Sequence, residues 1–189
     1  MQTPWGKSQT QEQYAEGITL YSTAGHGGFL VEYRLNQTIP EYARVKDGWY
    51  EEDCEWAIVA LFFPAAFDLK EVLNAENTIK NWMPDIWEKK NNCVLPIEES
   101  HAKQEKDFEN RNIGNYLVRS AAGDRCNDPE YGQTPQGMVL CMAHKLLPDH
   151  TYDRKKHYFY ATQANYDTRG HFSYVIKDEI ELVPIKQVA

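Results

Sequence analysis

The spacing of apolar residues changes near residue 100, from a helical interval to a strand interval, and a fold built from only one kind of secondary structure cannot satisfy both. Residues 56–63 form the most apolar run, closed by Pro64. The acids just ahead of it, Glu51, Glu52 and Asp53, would complement a helix dipole, so a buried helix is expected there. Asp68-Leu69-Lys70-Glu71 has the form of a capping box, and Leu69, Val72, Leu73, Ile79, Met83 and Ile86 fall near one helical face. Pro84 should restart that helix and Asn91-Asn92 should end it. Residues 97–110 are helix formers with few apolar positions, which makes them the candidate internal boundary. Beyond them the period shortens, and strands are expected at 115–120, 138–144, 157–163, 171–176 and 179–184, with Asn165-Tyr166-Asp167-Thr168-Arg169-Gly170 as a hairpin tip.

In the first half, residues 17–23 and Phe29-Leu30-Val31 read as two strands joined by a tight turn through Gly25-His26-Gly27-Gly28. A short helix opened by Pro40 should reach Val45 before Asp47-Gly48 breaks it. The expected fold class is α+β: a helix-rich N-terminal half with a short β-hairpin, packed on a C-terminal antiparallel β-sheet. The two parts, 1–95 and 96–189, are expected to form one intimate fold, since no Gly/Ser linker or repeat separates them.

At 189 residues the chain can bury a substantial core without staples. Its four cysteines lie far apart with no C-x-x-C pair, so reduced thiols are expected. The first residues lack a basic start and an apolar stretch, and no apolar run approaches the roughly 20 residues of a membrane helix, so the expected location is the cytoplasm. A formal charge of −8 disfavours nonspecific adhesion to nucleic acid or anionic membranes and permits a basic partner.

Two constellations could carry chemistry. A histidine on the glycine-rich turn Ser22-Thr23-Ala24-Gly25-His26-Gly27-Gly28 can exchange protons near neutral pH, and exposed N–H groups around it could form an anion nest; the alternative is an ordinary strand-connecting turn. The acids of Trp49-Tyr50-Glu51-Glu52-Asp53-Cys54-Glu55-Trp56 can hold a metal or divide acid and base roles; the alternative is a solvated acidic turn. Together these give His26, Glu51 and Glu52 as candidate catalytic residues, and Ser22, Thr23, Gly27, Gly28, Trp49 and Asp53 as candidate ligand-binding residues. No metal centre or cofactor is assigned. Cys54 reads more readily as a buried thiol than as a nucleophile. Cys141 and His144, three apart in a strand, would face opposite sides of the sheet, which works against zinc coordination with Cys126.

The residues Thr3-Pro4-Trp5-Gly6, the Ser22–Gly28 motif and the stretch from Asp47 to Ala60 together resemble a family of uncharacterised domains encoded by phages, plasmids and other bacterial mobile elements, over about residues 3–67. The resemblance implies a bacterial cytoplasm and brings no catalytic residues. It favours an accessory or anti-defence protein that binds a host protein through an acidic and aromatic surface, for which five tryptophans and twelve tyrosines supply anchors. The competing expectation is a hydrolase or small-ligand binder for a nucleotide-like or other anionic molecule at His26 and the Glu51/Glu52/Asp53 cluster. A third, nucleic-acid binding, would need Arg119, Arg154, Lys155, Lys156 and Arg169 to share one basic face.

Overall fold

The computed structural model describes residues 1–184, and they combine helices with antiparallel sheets, a mixed α+β fold. The chain divides into two compact units, Met1–Gln104 and a second beginning at Glu105. None of the described helices is long and apolar enough to cross a membrane.

The first unit opens with a small hairpin, β1 (Gln2–Thr3) and β2 (Gly6–Lys7), followed by a four-stranded antiparallel meander: β3 (Thr10–Ala15), β4 (Ile18–Ser22), β5 (Gly27–Val31) and β6 (Trp49–Glu51). The expected hairpin is therefore the centre of a larger sheet. Its outer strand β3, Thr-Gln-Glu-Gln-Tyr-Ala, is mostly exposed and polar, so it lacks the apolar alternation that marks a strand. Between β5 and β6 lie a one-turn helix, α1 (Tyr33–Asn36), and a hydrogen-bonded turn in which Ala43 and Arg44 both donate to Pro40 O. That turn replaces the helix expected from Pro40 to Val45; two bonds to one carbonyl do not propagate.

The apolar run forms α2 (Trp56–Phe62), in which Ala57, Ile58, Val59, Ala60 and Leu61 are all buried. It is apolar all round because the sheet and α3 (Leu69–Trp82) enclose it, in one core with Ile18, Phe29, Val31, Ile39, Tyr50, Ala75 and Ile79. The capping box forms as expected: the Glu71 N–H donates to Asp68 Oδ1 at 2.7 Å, and the Asp68 N–H donates to Glu71 Oε2 at 2.9 Å. Pro84 starts α4 (Pro84–Asn91), which Asn92 ends in the left-handed conformation at φ 49°. The division between units falls within α5 (His101–Asn112), a helix with no fully buried residue.

In the second unit β7 (Tyr116–Ala122), β10 (Met138–Lys145) and β11 (His157–Thr162) make an antiparallel sheet in the order β11-β10-β7, and β8 (Asn127–Asp128) pairs with β9 (Gly132–Gln133). Val139, Cys141, Ala143, Phe159, Ala161, Tyr174 and Ile176 form its core. The expected strands at 171–176 and 179–184 are reduced to single bridges, Leu117 to Val175 and Phe159 to Glu181. The first half of the expected hairpin tip at 165–170 is instead the end of α6 (Gln163–Asp167), a helix that the Thr162 hydroxyl caps by accepting the Asn165 N–H at 3.1 Å.

One buried network anchors β6. Tyr50 is fully buried; its hydroxyl donates to Asn36 Oδ1 at 2.7 Å and accepts the Val45 N–H at 3.2 Å. Burial pushes that hydroxyl up to about 12. All five tryptophans lie in the first unit, so their fluorescence reports its unfolding alone. Tyr50→Phe leaves the buried Asn36 Oδ1 and the half-buried Val45 N–H without this partner and is expected to lower stability by about 1–3 kcal/mol, seen as an earlier urea midpoint in tryptophan fluorescence.

In the second unit, His157 lies buried between Asp153 (2.9 Å) and Glu181 (2.7 Å). Desolvation alone would raise both carboxyls, but hydrogen bonds and charge from His157, joined by the Lys145 N–H at Asp153 and by Lys155 at Glu181, hold each below its ordinary value. Carboxyls lowered by folding stabilise above their unfolded values, here 3.8 and 4.5, and that stabilisation is lost as pH falls through the folded values. The Leu182 N–H, which donates to Tyr158 O at 2.7 Å, is therefore expected to lose hydrogen-exchange protection below about pH 4, and His157→Gln to remove that acid dependence.

Candidate functional site

The turn between β4 and β5 is tied by one side chain. Thr23 Oγ1 accepts the N–H groups of His26 (3.2 Å) and Gly25 (3.4 Å) and donates to His26 O at 2.6 Å, while the Thr23 N–H donates to the same carbonyl at 2.8 Å. His26 is thereby held at the last position before β5. Strand β6 pairs with β5 in the register Leu30 to Trp49, Phe29 to Tyr50 and Gly28 to Glu51, and the Glu52 N–H donates to Gly27 O at 3.0 Å. This ladder brings Glu51 and Glu52 beside a histidine 25 residues earlier.

The two glycines are required by close approach. A Cβ on Gly27 would sit 2.5 Å from Glu52 Oε2 and 2.8 Å from Tyr21 O; one on Gly28 would sit 2.2 Å from the Trp5 ring and 2.3 Å from Tyr50 O. Both are buried within β5, so the packing of Trp5 and Glu52 explains their identity without a bound anion.

The imidazole of His26 has a carboxylate at each nitrogen: Nε2 lies 2.9 Å from Glu51 Oε1 and Nδ1 lies 3.3 Å from Glu52 Oε1. A neutral ring can donate to only one of them, whereas a protonated ring donates to both. Glu51 is the fixed partner. Its two oxygens accept the N–H groups of Asp53 (2.7 Å) and Cys54 (3.2 Å), and its own N–H donates to Glu55 Oε2 at 3.1 Å. Glu52 is the loose partner, with a side chain 41 % exposed against 24 % for Glu51 and 33 % for His26. Trp5 stands edge-on to His26 with ring centres 5.7 Å apart, and Trp49 stands edge-on to Trp5 at 5.8 Å, making an aromatic wall on which Tyr21 also packs.

Of the residues singled out in the sequence, His26, Glu51, Glu52 and Asp53 come together, Thr23 holds the turn, and Ser22 closes it by pairing with Gly27. Trp49 reaches the site through Trp5. Trp5 itself was not among the candidates, and only its place in the Thr3–Gly6 motif pointed to it. Burial, followed by the charges of Glu51, Asp53 and Glu55, pushes the Cys54 thiol up, the opposite of what a nucleophile needs. Cys141 sits in the second core, its thiol pushed up to about 11 by burial, while His144 Nδ1 lies 2.8 Å from Asp153 O. Three of the five basic residues named for a nucleic-acid face meet neighbours: Arg119 lies over Tyr152, Arg169 over Tyr166, and Lys155 pairs with Glu181.

The N-terminal unit is thus a helix-backed antiparallel sheet that carries a histidine–carboxylate cluster at one strand turn. Residues 1–113 match the family described as a domain of unknown function (DUF7007), and the chain belongs to that family. The matched span contains every residue of the cluster and its aromatic wall. No curated protein and no solved structure matches the chain.

Gly28→Ala forces a methyl against the Tyr50 carbonyl and the Trp5 ring. It is expected to lower stability by about 1–3 kcal/mol and to shift the His26 ring resonances in NMR as Trp5 is displaced.

Proposed function

We propose that the N-terminal unit is a hydrolytic enzyme, or the binding site of a small ligand that undergoes proton transfer, centred on His26. The observation that carries this reading is the placement of a carboxylate at each ring nitrogen. Glu51, clamped by two backbone N–H groups, orients the ring through Nε2. Glu52 is loose enough to be displaced by a substrate or water, which then meets Nδ1 as proton donor or acceptor. The ring can hold or release one proton while Glu51 keeps it in place. Trp5 and Trp49 supply an apolar wall for the uncharged part of the ligand. On this reading Ser22, Thr23, Gly27 and Gly28 shape the turn and contribute no direct ligand contacts.

A test is turnover of nucleoside triphosphates and of p-nitrophenyl esters and phosphodiesters by the purified chain. Loss of a general acid–base is expected to lower the rate by about 10²–10⁴-fold in His26→Ala, with Glu51→Gln also impaired. Equal rates in the native chain and His26→Ala would overturn the assignment.

One observation favours a second reading, an accessory protein of a bacterial mobile element that binds a host protein. Tyr33, 76 % exposed, and Leu69, 75 % exposed, belong to the same unit as the exposed acids Glu52 and Asp53, and aromatic and acidic groups suit a basic partner. A partner recovered from bacterial lysate by the native chain should be lost from a Tyr33→Ala/Glu52→Lys variant. Equal recovery would contradict this reading.

A further inference from the structure

The acidic segment beside His26 has far more negative charge than its immediate surroundings balance. Glu51, Glu52, Asp53 and Glu55 fall within five residues, and among the described residues no lysine or arginine forms an ion pair with any of them; the cation-forming group they meet is His26. Such a surface repels an anionic ligand unless a positive ion stands between them. One nitrogen of His26 and one oxygen each of Glu51 and Asp53 all lie within 4.8 Å of one another, and His26 Nε2 and Glu51 Oε1 are already 2.9 Å apart. Neighbouring ligand atoms around an ion with bonds of about 2.1 Å stand roughly 3 Å apart, so two donors have the required spacing and the exposed Asp53 side chain needs only to swing inward.

We propose that His26 Nε2, Glu51 and Asp53 bind a divalent transition-metal cation of the Mn²⁺ or Zn²⁺ class, with coordination positions left open on the solvent side. The proposal goes beyond the site reading above and rests on it only for the site's location: an imidazole that ligates the ion through Nε2 with its Nδ1–H held by Glu52 exchanges no proton, so with the cation bound the acid–base role would fall to a water on the ion's open positions. The donor set of one imidazole and two carboxylates suits Mn²⁺ and Zn²⁺ better than Ca²⁺, which takes oxygen ligands alone. Glu52, at Nδ1, has the outer position of a carboxylate–histidine–metal arrangement: by accepting the Nδ1–H it leaves the Nε2 lone pair directed at the ion. The Asp53 and Cys54 N–H groups fix the Glu51 carboxylate in the same way. The two other strong clusters are less suitable. His157 is buried with both nitrogens already satisfied, and the Lys155/Lys156 surface beside Tyr131 is lined by exposed and half-buried side chains.

The experiment is calorimetric titration of the EDTA-treated full chain with MnCl₂ and ZnCl₂, with Mn²⁺-induced broadening of NMR resonances to locate the ion. One saturable site is expected, broadening His26 and Trp5 first. Asp53→Asn and His26→Gln should each weaken binding at least tenfold, Glu52→Gln should weaken it by about tenfold or more through the lost outer contact, and Glu98→Gln should leave it unchanged. Circular dichroism of each variant separates lost binding from lost fold; because Asp53 is exposed, Asp53→Asn keeps the test decisive should His26→Gln unfold. Absence of saturable binding, or equal affinity in Asp53→Asn, overturns the cation site. Turnover by the metal-free chain that depends on His26, with no cation bound, would overturn the cation and leave the proton-transfer reading standing. Binding that requires His26 and Asp53 without any turnover would sustain the cation site and overturn the hydrolytic reading.

Discussion

The candidate site depends on the absence of two side chains. Glu52 and the backbone of β4 close on Gly27, and Trp5 and the backbone of β6 close on Gly28, at distances that no Cβ could tolerate. Glycine here costs conformational entropy in a strand, on the order of 0.5–1 kcal/mol per residue relative to alanine, and the close packing it permits offsets that cost. Trp5 can then stand against His26, and Glu52 can reach its ring from the next strand.

Electrostatics and packing act in opposite senses in this region. Burial of Tyr50 and of α2 fixes β6 from the core side, with the Asn36–Tyr50–Val45 network satisfying the polar groups that go inside. On the outer side the same short strand delivers carboxylates into mutual proximity, which is unfavourable on its own. Backbone N–H groups of Asp53 and Cys54 and the His26 ring relieve part of that repulsion. The core thus holds in place a surface arrangement that would otherwise open, a common condition for residues that act on a ligand.

Much of the helical framework was legible in the sequence because its signals are local. The Asp68/Glu71 capping box, the Pro84 restart and the Asn92 terminus each depend on residues within one turn of the boundary they mark. The buried helix at α2 was legible from its apolar run and the proline that closes it. What escaped was decided by tertiary pairing: β3 carries no apolar alternation, and β6 is three residues long, so the four-stranded meander showed only as a hairpin. The bridges at Val175 and Glu181 give those segments too few ladder bonds to count as strands. For the site, the residue types on the turn and in the acidic run pointed to His26, Glu51 and Glu52, but their convergence is a matter of β5–β6 register, which spacing along the chain does not encode. The role of Trp5 was hidden for the same reason, since a tryptophan in a short exposed hairpin announces nothing about what it covers.

The register of β5 and β6 has a further consequence. Only three residue pairs define it, and alternate side chains along β6 point to opposite faces: Tyr50 inward, Trp49 and Glu51 outward. A slip by a single residue would drive a carboxylate into the apolar interior and expel the tyrosine, at a cost the short strand could not recover elsewhere. Correct threading of the interior and assembly of the histidine–carboxylate cluster are therefore one event. Copies of the chain with a slipped register would lack the cluster.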